Sequence, residues 1–137
     1  MNRLTSVFLV FAALLLLAIG GTILLVPHTF YASDGIVLGN DPSLLSEIRP
    51  PGGLLASSGL LILLGAFRAR LRSLSITLTV LVYGDFGLSR LVGFALDGMP
   101  SSNFVMATGV ELIVAAIGLV MLCRQPGVDA TVSANQL

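Results

Sequence analysis

Three ionisable residues stand inside stretches that are otherwise apolar: Asp85 and Arg90 in one, Glu111 in the next. In the middle of a bilayer each costs about 2.5–3.5 kcal/mol on insertion scales unless it is paired or wet. Arg90 comes seven residues before Asp97, and Glu111 comes eight after Asn103. At a helical rise of about 1.5 Å per residue, both then lie roughly 10–12 Å below the same surface. An Arg90–Glu111 ion pair between neighbouring helices is the simplest way to satisfy both, either as part of a binding site or as a plain interhelical staple.

Helical spacing puts Arg90 within about 20° of Asp97 and Tyr83, on a stripe that should face inward. Stacked with Glu111 are Ala107, Ala115 and Gly118, a small-residue seam that lets membrane helices approach closely. Asp85 lies about 140° from Arg90, close to mid-membrane, on a face with Leu78, Ser89, Val92 and Leu96. With one cation and two carboxylates inside, either Arg49 reaches in from a loop or one carboxylate carries a proton. Asp85 is the candidate proton site, unless it faces a wet cavity.

Glu47 and Arg49 fall on the same outer side as Arg90, Asp97 and Glu111, so these five residues could line one outward-opening pocket; the alternative is a solvated loop. Such a pocket suits a binding or accessory protein for a small polar molecule, a lipid head group or a partner segment. A second reading is a small membrane enzyme or isomerase with Glu47 or Glu111 as acid or base, positioned by Arg90. A third is a structural subunit without a ligand, docked on other membrane proteins or on copies of itself through its small-residue seams. Nothing indicates a metal or cofactor, because His28 stands apart from any His/Asp/Glu set. Ser57 and Ser58 have no neighbouring base. Gly20, Gly21, Ala56, Gly59 and Gly65 fit helix packing better than a phosphate cradle.

The elements that must position these groups are set by hydropathy. The 137 residues are 55% hydrophobic and 10% charged, with a mean hydropathy of +1.00. A soluble core of this size cannot enclose that much apolar side chain, so the expected solvent is lipid. Seven Arg balance seven acidic residues and there is no Lys, which leaves no basic face for nucleic acid. The single Cys123, at the end of an apolar run, reads as an inert buried thiol.

Four apolar runs follow: about Leu4 to Val26, Leu54 to Phe67, Leu74 to Leu96 and Asn103 to Leu122. The expected fold is an all-α antiparallel bundle of four transmembrane helices, one domain over residues 1–124, followed by a polar cytoplasmic tail over 125–137. The first run also has the look of a signal peptide, but it is too long and no clear A-x-A site follows. Asp41-Pro42 predicts a capped interfacial helix over 42–49. Pro50-Pro51-Gly52-Gly53 then predicts a break before a short second span. Arg3, Arg68, Arg70, Arg72 and Arg124 gather on one side against Arg49 on the other, so both termini are expected in the cytoplasm.

Ser46-Glu47-Ile48-Arg49 with Gly52-Gly53, then Arg90 ahead of Asp97-Gly98-Met99-Pro100, then Glu111, resembles a family of small bacterial four-helix membrane proteins of unknown function. The likeness spans about residues 20 to 122 and departs from the family pattern at Pro50-Pro51. It implies a bacterial inner membrane and draws attention to Glu47, Arg49, Arg90, Asp97 and Glu111, without supplying an activity. A similarity to the DoxX-like group is one of fold type only.

Overall fold

The computed structural model describes residues 2–125. Within them, α1 (Arg3–Leu25), α2 (Pro27–Ala32), α3 (Pro42–Phe67), α4 (Arg72–Asp97) and α5 (Ser102–Cys123) follow in order, with a single 3₁₀ turn at Ala69–Leu71. Four helical segments, α1, α3, α4 with its preceding turn, and α5, are long and apolar enough to cross a membrane. The expected frayed tail, beyond Gln125, lies outside the described residues.

Helix starts follow local chemistry. The Asn2 side chain accepts the Leu4 N–H at 3.1 Å, and Asp41 accepts the Leu44 N–H at 3.0 Å with Pro42 in the first turn. Pro27 opens α2, a six-residue helix. Gly98, at φ 96°, ends α4 in a conformation that side-chain-bearing residues rarely adopt.

The break expected at Pro50-Pro51 does not occur. The interfacial helix and the second span are one 26-residue helix, with both prolines inside it. Each proline removes an N–H and its ring crowds the preceding turn, a cost of about 3 kcal/mol in an ordinary helix interior. Packing against α1 offsets it. The Arg49 guanidinium donates to the Leu24 carbonyl at the end of α1, and Gly52 is buried against Ile23 and Leu24.

Contacts between helices are made through small residues. A Cβ on Gly20 would sit 2.5 Å from Ala56 N and 2.6 Å from Gly52 O, and one on Gly59 would sit 2.9 Å from Ala13 O. Here the α1 and α3 backbones approach as closely as the absence of side chains permits. Gly21, by contrast, meets nothing within 4 Å and takes no part in this seam. Gly65 on α3 admits the Ser75 side chain of α4, whose hydroxyl donates to Leu61 O at 3.2 Å. Gly118 on α5 faces Val80 of α4, and Gly87 on α4 faces Leu112 of α5.

Polar side chains tie the two ends. Arg72 Nη2 donates to Ser6 Oγ at 2.9 Å, joining α4 to α1. Elsewhere, Asn103 and Ser101 donate to Asp34 Oδ1 at 3.0 and 3.4 Å, joining the start of α5 to the loop after α2. Cys123 is exposed rather than buried. It occupies the last residue of α5.

Candidate functional site

α1 lies along α3, and α5 lies along α4, but α1 and α5 scarcely touch. They come together where Phe8 reaches Gly118. Towards the opposite end a cavity of about 630 Å³ opens among α1, α3, α4 and α5, roofed by Phe30 and Tyr31 of α2. Leu15, Ile19 and Ile23 form its α1 wall, and Met106, Ala107 and Val110 its α5 wall. Ile19, Met106 and Val110 are exposed, so the rim between α1 and α5 is open at the side.

Its polar groups lie together. Arg90 Nε donates to both carboxylate oxygens of Glu111, at 3.0 and 3.3 Å, with the side chains 29% and 14% exposed. This fork joins α4 to α5 inside the spans and satisfies the Glu111 charge, which burial would otherwise penalise. Nε makes both contacts, and the terminal nitrogens of the guanidinium make no hydrogen bond to a described residue. The Arg90 Cζ lies 5.2 Å from the centre of the Phe104 ring, a cation–π distance. Ser89, Asn103 and Asp34 complete the polar part of the wall. Tyr83 lies deeper, its hydroxyl donating to the Ala12 carbonyl at 2.6 Å, which holds α4 against α1 beneath the cavity.

Of the five charged residues expected to share one pocket, the cavity brings together Arg90 and Glu111, joined by Tyr83 and Ala107 from the faces the spacing assigned to them. Asp97 lines a shallower recess of about 280 Å³ on the other side of Arg90, with Gly93, Phe94, Pro100 and Phe104. The guanidinium therefore forms part of the wall of both. Glu47 and Arg49 line neither. Glu47 is exposed on the second turn of α3, and Arg49 is spent on the Leu24 carbonyl. The expected pocket of five charged side chains is thus not formed, because the helix runs on through Pro50-Pro51 and keeps residues 47 and 49 on α3 instead of folding them inward. Asp85 is exposed on α4 and lines neither hollow.

Sequence reasoning passed over Asp34, Asn103, Phe30 and Tyr31. The aromatic pair, packed edge to face at 5.3 Å, carries no sequence signal beyond the preference of such rings for a membrane interface. Asp34 and Asn103 are ordinary loop and helix-start residues until the fold places them 3.0 Å apart. His28 bonds to the Gly39 carbonyl at 3.3 Å. No group of three His, Cys, Asp or Glu residues that could hold a metal ion occurs among the described residues.

Four helices long and apolar enough to cross a membrane, around a mainly apolar, side-opening cavity with one partly buried ion pair, give the architecture of a multi-pass helical membrane protein. The chain belongs to the family described as a domain of unknown function, DUF4345, whose model matches residues 4–122. No match was found among curated proteins or among solved structures.

Proposed function

We propose that the protein is a binding protein of a bacterial inner membrane that holds one amphipathic molecule, its apolar body between α1 and α5 and its polar end at Arg90 and Glu111. On this reading the bundle is antiparallel and both termini are cytoplasmic, with five arginines at the cytoplasmic end and the cavity in the outer half. The observation that carries the proposal is the cavity itself. A structural staple needs the Arg90–Glu111 pair but has no use for about 630 Å³ of space beside it.

That volume lies within the roughly 300–1,000 Å³ typical of small-molecule sites, and suits one chain-bearing molecule rather than a transport pathway. The charges narrow the polar end. Arg90 is already paired with Glu111, and Asp34 adds a further carboxylate. A bare anion gains little there. A neutral or zwitterionic group fits, accepting from the free guanidinium nitrogens and donating to Glu111 or Asp34. Acid–base catalysis, if any, falls to Glu111, since Glu47 stands outside the cavity.

Native mass spectrometry of protein extracted gently from membranes tests this, comparing wild type with Ala107→Phe, which fills the cavity, and Arg90→Gln. A lipid-sized mass on the wild type, lost from Ala107→Phe without a lower melting temperature, supports the site. No bound mass on the wild type, with Arg90→Gln merely melting lower, returns the pair to a staple.

A further inference from the structure

Asp85 is residue 14 of the 26 in α4, within a residue of the helix centre and about 18–20 Å from either end. It is exposed, and it makes no hydrogen bond or ion pair with any described residue. In a span, that places a carboxyl group at mid-membrane on the outside of the bundle. An acid cannot stay there uncompensated at small cost, and groups of this kind normally face a protein partner.

The surface around it has a definite pattern. Leu74, Leu78, Leu81, Asp85, Leu88 and Val92 follow one another at spacings of four, three, four, three and four residues. Leu78 is half-buried and the others are exposed, Leu81 and Leu88 at 63% and 60%. This stripe runs down the side of α4 opposite Tyr83, away from α1. Alternating steps of three and four keep one seam facing a partner helix along its whole length, and a single polar residue within such a seam sets register.

We infer that the chain forms a two-fold dimer through this face of α4, the Asp85 carboxyls of the two copies hydrogen-bonded to each other. Two copies inserted in the same sense are related by an axis along the membrane normal. Their α4 helices are then parallel, and each residue of the seam meets its own counterpart at the same depth. Asp85 therefore meets Asp85 with no adjustment. One protonated carboxyl donates to the other's oxygen, which removes both from lipid in a single contact. An unrelated helix would have to carry both a matching apolar seam and a polar group at this depth, whereas a second copy supplies both by symmetry. The inference is independent of the cavity, whose α4 wall reaches Ser89 at the edge of this face but includes none of the six seam residues.

The test is disulfide cross-linking of the full chain in membranes, with Cys123→Ser as background and single cysteines introduced by Leu81→Cys, Leu88→Cys or, on exposed α5, Ile113→Cys. Covalent dimers should form rapidly from the two α4 positions and slowly from Ile113→Cys. Photobleaching step counts in dilute vesicles then compare Asp85 variants. Asp85→Asn, which can still donate and accept, should dimerise within about twofold of wild type. Asp85→Leu should weaken dimerisation by about tenfold, in line with one lost interhelical hydrogen bond. Because Asp85 is exposed, the leucine variant folds. Equal cross-linking at all three positions, products with another protein in place of dimers, or undiminished dimerisation of Asp85→Leu would each overturn the inference.

Discussion

Removing either partner of the Arg90–Glu111 pair should have unequal consequences, and the structure sets the order. Breaking a buried ion pair by deleting one member costs about 3–5 kcal/mol when the remaining charge is fully enclosed. Here the side chains are 29% and 14% exposed, so the cost is smaller for the charge left on Arg90. In Glu111→Leu the guanidinium keeps its contact with Phe104. It also lies about 10 Å from the end of α4, near enough for its long side chain to lean towards the rim. A loss of about 1–2 kcal/mol is expected. In Arg90→Leu the short Glu111 side chain has no such exit, and about 2–3 kcal/mol should be lost. The double variant Arg90→Leu/Glu111→Leu replaces the pair by apolar groups and should lie within about 1 kcal/mol of wild type. A double-mutant cycle measured by reversible unfolding in bicelles therefore yields a coupling of about 2–6 kcal/mol. Additive single variants, with the double the least stable of the four, would refute this reasoning.

Other outcomes follow from the packing. Gly20→Ala should lower stability by about 1–3 kcal/mol, because its Cβ would press on Ala56 and Gly52 backbone, whereas Gly21→Ala, one residue along with open space around it, should be neutral or slightly stabilising; thermal melts in one detergent separate the two. Tyr83→Phe leaves the Ala12 carbonyl without its 2.6 Å donor and should cost about 1 kcal/mol in the same assay. Exposed Cys123 should react with a maleimide without unfolding. A membrane-impermeant maleimide added to spheroplasts should leave it unlabelled until the membrane is opened, as expected for a cytoplasmic end of α5.

The family match over residues 4–122 covers all four spans except the last residue of α5 and the first of α1. It ties the chain to a family without supplying a reaction. The chemistry must come from the side chains.

Hydropathy marked where the four long helices lie, because long runs of mostly apolar residues find their stable place in a bilayer, although it started the second twelve residues late. The Asp41 cap and the end of α1 before Pro27 were equally local, being set by which backbone groups a neighbouring side chain can satisfy. So was the pairing of Arg90 with Glu111, since two opposite charges at equal depth on adjacent spans have few alternatives. Tertiary structure alone decided the rest. Helix α3 passes through Pro50-Pro51 because α1 packs against Gly52 and receives Arg49, a compensation that no local propensity contains. Asp34 and Asn103, 69 residues apart, meet only when the loop after α2 folds over the start of α5. The cavity exists because the close glycine contacts join α1 to α3 while α4 packs on α5, and the gap left between the first and last helices is a property of how the helices are assembled, not of any one of them.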